Sequence, residues 1–424
     1  MVDYDRLVDL RREFHRHPEP AWREFWTTAR VVDELERMGV DELHVGPEAL
    51  AADERMAVPS EDELGRWFER AREAGADPET LDRLDGGYTG ALAVVDCGPG
   101  PTVGLRVDID GLPIRESDEE THHPAATGFR SENEGYMHAC GHDGHATLGL
   151  GTIEAVRESD FSGTLKVFFQ PAEEVVGGGK AMATSGHLDD VDYLFAVHLG
   201  LDHPTGEVVC GIDEFLAVKH LDVTFTGEPA HAGAKPEEGA NAVQALATAV
   251  QNLYGIPRHS DGATRVNAGR LEAGTAANIV PEHAEMECEV RGETTDLKDY
   301  MDERARQVIG SAARMHGCES SVEVGGEAPS ASSDQDLVDA VGDAASEHPD
   351  VERTVERDAL GGSEDATYLM EAVRDRGGLA TYVCIGTDHP GGHHTGTFDV
   401  DEASLPIGVD VLASAIQSVA ADRP

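Results

Sequence analysis

The ten residues Tyr136-Met-His-Ala-Cys-Gly-His-Asp-Gly-His145 carry three histidines, one cysteine and one aspartate, with Gly141 and Gly144 between them. Cys140 and His142 are separated by one glycine. On a helix they would point to different faces, whereas a tight loop can turn both toward one point. A thiolate and an imidazole that converge suit Zn²⁺ or a neighbouring first-row ion. Taken alone, the same residues also describe a cysteine beside surface histidines in a glycine-rich turn. The choice depends on whether the rest of the chain supplies carboxylates and further histidines in similar loops.

It supplies them repeatedly at the ends of apolar runs. Asp108-Ile-Asp-Gly-Leu-Pro113 follows an apolar run at 102–108, and Gln170-Pro-Ala-Glu-Glu174 follows a nearly continuous one at 163–169. His198 closes the run 192–198, and Gly391-Gly-His-His394 lies beyond the run 379–385. The C-terminal ends of strands are where open α/β sheets build their sites. The donor candidates are Cys140, His142, Glu174, His198 and one of His393 or His394. Five donors exceed the needs of one tetrahedral ion and fit two ions about 3.5–4 Å apart, bridged by a water or hydroxide. Glu173, next to a donor but able to point the other way, is the candidate general base. Asp108 and Asp110 are candidate acceptors that orient the ligand imidazoles. A cysteine hydrolase with Cys140 as nucleophile and His142 as base is the rival. It demands an awkward hydrogen bond between residues two apart and leaves the other donors unexplained.

The elements that must position these groups follow from periodicity. Residues 3–39 read as an amphipathic helix broken at His17-Pro-Glu-Pro20, and 59–84 as a polar helical excursion. Strands are expected at 88–95, 102–108, 163–169, 192–198 and 379–385, and helices at 146–156, 337–345 and 402–419. From about residue 215 the grammar changes. Strand 216–227, helix 237–254, strands 264–271 and 284–291, helix 297–316 and strand 320–324 make a β-α-β-β-α-β unit of the ferredoxin-like kind. The expected fold class is α/β with two domains: a catalytic domain with a central mixed sheet (1–214 and 329–424) and an inserted α+β domain (215–328).

On these motifs the sequence resembles the M20 metallopeptidase family, in its amidohydrolase branch that carries Cys-Gly-His. The resemblance rests on Arg106-Val-Asp-Ile-Asp-Gly-Leu-Pro113, on Met137 to His145, on Gln170-Pro-Ala-Glu-Glu174 and on His198. It continues through Gly227-Glu-Pro-Ala-His-Ala-Gly233, Asn278-Ile-Val-Pro281, Gly362-Ser-Glu-Asp365 and His394 four residues before Phe398. It spans essentially the whole chain. Within the branch it points to the subgroup that hydrolyses aminobenzoyl-glutamate, through the excursion from Arg55 to Gly90, Ala230-His-Ala-Gly-Ala-Lys-Pro236 and Gly392-His-His394. Gly111 departs from the alanine usual in the branch.

The resemblance implies a two-metal amidohydrolase (Mn²⁺ or Zn²⁺, with Co²⁺ as a further option) that cleaves N-acyl amino acids, p-aminobenzoyl-glutamate foremost. Cys140, His142, Glu174, His198 and His394 would be ligands and Glu173 the base. His231 would polarise the scissile carbonyl of a neighbouring protomer's site, and Asn278 and Arg291 would grip the substrate carboxylate. The insertion would be a lid through which the chain dimerises, or the chain would pair with a related, non-identical chain. Hippurate-type hydrolysis, an aminoacyl carboxypeptidase of the same family and a catalytically silent partner chain remain as alternatives.

Composition bounds the setting. The chain has 424 residues, 82 Asp and Glu against 33 Lys and Arg, and a formal charge of −49. Lysine occurs only at 166, 180, 219, 235 and 298. Such a field repels nucleic acid and anionic membranes. Its dispersal along a well-patterned sequence reads as a halophile's surface, kept hydrated in concentrated KCl. Six scattered cysteines without a CxxC pair do not suggest disulfides. The N-terminus lacks a signal-peptide pattern and no uninterrupted apolar run of about 18 residues occurs, so a cytoplasmic protein without a membrane span is expected.

Overall fold

The computed structural model describes residues 2–421, which separate into two compact units. One runs up to Glu214 and takes in Ala331–Leu360 and the chain from Glu364 onward; the other comprises Phe215–Ser330 with Gly361–Ser363.

The first unit is built on an eight-stranded mixed sheet. Its order is Glu42–Val45, Ala91–Asp96, Thr164–Gln170, Thr102–Asp108, Tyr193–Leu199, Leu379–Ile385, Glu207–Val209 and Arg353–Val355. The four central strands, from Thr164–Gln170 to Leu379–Ile385, are mutually parallel, and antiparallel neighbours flank them. Parallel strands need both faces covered, which is why they read as continuous apolar runs. Val107, Phe169 and Leu199 face helix His142–Glu158, whose Gly144 and Gly149 let it lie close to them. On the other face Arg106 and Gln170 meet Asp365, at the start of helix Ala366–Arg374.

The N-terminal helical stretch is two helices, Tyr4–Arg16 and Phe25–Met38. Pro18 and Pro20 lack the amide protons a continuous helix would need. Glu19, between them, accepts from the Trp26 and Thr27 amides and so caps the second helix. The excursion at 59–84 likewise splits, into Glu61–Glu73 and Pro78–Arg83. The short strands Glu42–Val45, Glu207–Val209 and Arg353–Val355 have too few residues to show a period, and the sequence reading omits them. The closing helix Ser404–Ala421 is long and apolar enough to cross a membrane (mean hydropathy 1.4), but 61% of it is buried inside the protein. It packs on His142–Glu158 and Gln335–Glu347, so its apolarity belongs to the core.

The second unit has a four-stranded antiparallel sheet in the order Thr264–Ala273, His283–Gly292, Ala217–Thr226, Glu319–Ala328. Strand His283–Gly292 alternates exposed and buried residues, as a one-sided sheet must. Its buried face, with Leu221, Phe225 and Val290, packs on Ala249 and Leu253 of helix Ala242–Leu253 and on Met301 and Ile309 of helix Thr295–Met315. The expected helix at 237–254 starts later than its pattern suggests. Pro236–Glu238 is a 3-10 turn, and Asn241 caps the true helix by accepting from the Gln244 amide.

Candidate metal centre and active site

Every candidate donor of the first unit lies at or just beyond the C-terminal end of a central parallel strand. The exception to the expected geometry is His142. It opens a helix, His142–Glu158, instead of sitting in a loop that ends at 145. Gly141, at φ 88°, makes the turn into the helix, a conformation open to glycine. Cys140 stays in the loop before it, and the pair converges across that corner.

Donor atoms gather in overlapping groups whose members all lie within 4.8 Å of one another: Cys140, His198 and His393; Cys140, Glu174 and His394; His142, Glu173 and Glu174. Cys140 belongs to two groups, the position of a donor shared by two ions. Its Sγ lies 3.5 Å from His198 Nε2. His198 Nδ1 donates to the Leu199 carbonyl (2.7 Å), which leaves the Nε2 lone pair toward the cysteine. His142 Nδ1 pairs with Asp110 Oδ1 at 3.2 Å. Its Nε2 and Glu174 Oε1, both buried and without a hydrogen-bond partner, face each other at 3.8 Å. Glu174 Oε2 lies 3.5 Å from Nε2 of His394, a half-exposed residue held at φ 57°. His393, its neighbour, donates from Nε2 to the Leu199 carbonyl (3.1 Å) and stacks near His198.

Electrostatics tests whether cations fit. Burial, then Glu174 and Glu173, push the Cys140 thiol well above its ordinary range. Burial, then Glu364 and Glu174, do the same to Glu173. Glu174 is pushed up to about 8 by burial, with His142 pulling the other way. A dry pocket of acids that oppose one another's ionisation is one that divalent cations relieve, and the two orphaned donor atoms point the same way. The donor set therefore fits divalent ions. It does not fit a cysteine nucleophile with His142 as base: the imidazole nearest Sγ is His198, and the thiol's ionisation is opposed.

Asp108 and Asp110 divide their work unevenly. Asp110 orients His142 and also accepts from the amides of Glu173 (3.2 Å) and Glu174 (3.0 Å). Asp108 makes its short contact, 2.5 Å, to Nδ1 of His145, which is outside the predicted donor set; it stands 3.6 Å from His142 Nε2. His145 spends its other nitrogen accepting from the Leu199 amide (2.8 Å) and so ties that strand end to the helix.

Several supporting groups went unassigned in the sequence reading. Ala172 (φ 57°) and Val176 (φ 47°) hold left-handed conformations around Glu173 and Glu174, costly for residues with a Cβ. Buried carboxylates keep that loop in place. Glu24 Oε1 accepts from the Ala172 amide (2.8 Å), and Asp365 Oδ2 accepts from Gly178 and Gly179 (3.1 and 2.7 Å). Gly178 has no room for a Cβ, which would fall 1.8 Å from the Pro171 carbonyl oxygen. Fully buried Arg106 joins Asp108 (2.7 Å), Gln170 (2.8 Å) and Asp365 (3.4 Å). Glu364 lies against Glu173, close enough for the two to share a proton. The motif Gly362-Ser-Glu-Asp365 was a signal for two of these residues; nothing local marks Glu24.

His231, Asn278 and Arg291 belong to the second unit. His231 pairs with Ile279 in a two-stranded ribbon, and the Asn278 carbonyl accepts from the Ala232 amide (3.0 Å), so one ribbon carries both residues. His231 Nδ1 accepts from the Gly233 and Ala234 amides (both 3.1 Å), which puts the ring proton on Nε2 of an exposed side chain. Arg291 ends strand His283–Gly292 and is half-buried.

The pattern of peptidase family M20/M25/M40 matches residues 104–418. The chain is 44% identical to the indole-3-acetyl-aspartic acid hydrolase of Enterobacter agglomerans and 43% identical to the A chain of the two-letter-named p-aminobenzoyl-glutamate hydrolase of Escherichia coli K12. Each match covers 96% of this chain and 94% of the relative. Among solved structures, the aminobenzoyl-glutamate utilization protein of Klebsiella pneumoniae superposes with a TM-score of 0.84 at 38% identity, over 99% of this chain and 97% of that one. The Bacillus subtilis YXEP protein, described as a dinuclear metal binding peptidase from the M20 family, gives 0.69 at 25% identity, over 99% and 98%.

Proposed function

This chain belongs to peptidase family M20/M25/M40, and we propose that it is a dinuclear, metal-dependent amidohydrolase acting on N-acyl dicarboxylic amino acids, with p-aminobenzoyl-glutamate as the leading substrate. The observation that carries this reading is the donor cluster sharing Cys140, with the Glu173–Glu364 carboxyl pair beside it. Two of the relatives above are hydrolases of an aspartate and a glutamate conjugate, which suggests the substrate class.

Cys140, His142, Glu174, His198 and His394 would hold the ions, with His393 assisting. Bound there, two divalent ions supply Lewis acidity to the scissile carbonyl and acidify a water molecule. Manganese is the favoured ion, with zinc and cobalt as substitutes. Glu173 accepts a proton from the attacking water as its oxygen bonds to the acyl carbon. The same proton passes to the amide nitrogen as the C–N bond breaks. Burial and Glu364 keep Glu173 far from an ordinary exposed carboxylate, so it can both take and return a proton. Asp110 fixes the His142 ring and the Glu173–Glu174 backbone together. His231, with its proton on Nε2, donates to the carbonyl oxygen, and Asn278 and Arg291 take the substrate carboxylate, Arg through its planar fork. The second unit acts as lid and dimerisation domain. A pairing with a related, non-identical chain is the other assembly the reading admits, since the Escherichia coli relative is by name one of several subunits. The protein works in the cytoplasm.

The test is a panel of N-acyl amino acids at molar KCl with Mn²⁺, Zn²⁺ and Co²⁺. Aryl-acyl glutamate and aspartate should turn over fastest. Preference for N-acyl glycine or for peptides would move the assignment to a hippurate-type hydrolase or a carboxypeptidase.

A further inference from the structure

Arg291 already holds a carboxylate. Its Nε and Nη2 donate to Glu289 Oε1 (3.0 Å) and Oε2 (2.9 Å), a fork-to-fork pair, while Nη1 donates to Ser363 Oγ (3.2 Å). Residues two apart on a strand share a face, so the backbone keeps Glu289 beside the guanidinium. The register places Arg265 directly opposite Arg291 on the neighbouring strand, and Asn267 opposite Glu289. On the other side His220 stands opposite Glu289, with Nε2 3.7 Å from Oε2. Arg265 is exposed and donates to the Thr264 carbonyl (2.9 Å); among the described residues no carboxylate lies within ion-pair distance of it. Two arginines directly opposite each other repel, and one internal carboxylate serves only one of them.

We propose that Glu289 is a specificity-determining residue: it occupies the Arg291 fork as an internal stand-in for a substrate carboxylate, so that this face favours substrates bringing two carboxylates, one for Arg291 and one for Arg265. A substrate with a single carboxylate displaces Glu289 and exchanges one ion pair for another. A second carboxylate meets Arg265, which Glu289 leaves unserved. Glu289, once displaced, still has His220 within reach. The class selected is the N-acyl aspartates and glutamates. This inference rests on the reading of Arg291 as the carboxylate-binding residue.

The test measures KM for N-benzoyl-glutamate and N-benzoyl-alanine with the metal-loaded enzyme, for wild type, Glu289→Gln, Arg265→Gln and Arg291→Gln. Glu289→Gln should lower KM for the alanine substrate about fivefold, the upper range for an exposed ion pair, and narrow the preference for glutamate. Glu289→Thr, which removes the charge and shortens the side chain, should give the same pattern. Arg265→Gln should raise KM for the glutamate substrate selectively. If Arg291→Gln raises both KM values while the two Glu289 variants change neither, Arg291 binds the carboxylate and the Glu289 inference fails alone. If Arg291→Gln changes neither value, the carboxylate assignment fails and takes this inference with it.

Discussion

Glu173 has a buried carboxyl partner, Glu364, and a neighbour, Glu174, committed to the donor cluster, so two adjacent glutamates are given separate tasks by their surroundings. Glu173→Gln keeps size and hydrogen bonding but removes the proton acceptor. It should lower kcat by about 10²–10⁴-fold, the usual worth of a general base, while metal content measured by elemental analysis stays at the wild-type level. Glu24 is the less obvious residue. Burial pushes its carboxyl up to about 8, so at neutral pH a carboxamide is a close mimic. Glu24→Ala frees the Ala172 amide and should relax the left-handed loop under Glu173, costing on the order of 10²-fold in kcat. Glu24→Gln, which can still accept from Ala172, should restore most of that loss; equal defects in both would show that the contact does not position the loop. The ligand candidates were legible because each sits in a motif after an apolar run. Glu24 and Arg106 were not, because a charged residue inside a helix entry or a buried strand carries no spacing signal, and its partners lie far away in sequence.

At the scale of elements, the long parallel strands and the β-α-β-β-α-β order were legible from periodicity, since a buried strand and a one-sided strand differ in pattern. Boundaries controlled by capping were not: Gly141 starts a helix at His142, and Asn241 delays one until Ala242. Side-chain charges also tie the second unit's sheet to its long helix. Glu327 is paired with Lys219 (2.9 Å) and Lys298, and Lys219 also reaches Asp302 (3.1 Å). Burial opposes ionisation of Glu327, but its bonds to Lys298 and Lys219 prevail and depress its value below the ordinary 4.5. For a depressed carboxylate, the stabilisation is present above that ordinary value and is lost as pH falls through the depressed one. Thermal unfolding followed from pH 7 downward should therefore show the wild type losing stability below about pH 4.5 more steeply than Glu327→Gln. Parallel curves would remove Glu327 from the account.

For the whole molecule the governing quantity is a formal charge of −49, with five lysines in 424 residues. Like charges spread over one surface repel across distances that molar salt screens to about 3 Å. The melting temperature should rise steadily from dilute to molar KCl; a value independent of KCl would contradict a surface adapted to salt. The account's central claim is chemical: two divalent ions in the cluster around Cys140 make this chain a hydrolase of N-acyl dicarboxylic amino acids. Its most direct test is to strip the protein with a chelator at molar KCl and titrate Mn²⁺ back, following release of p-aminobenzoate from p-aminobenzoyl-glutamate against bound metal. Activity should be absent in the stripped protein and rise until two ions are bound per chain. Turnover that survives stripping, or that reaches its full rate with one ion bound, would contradict it.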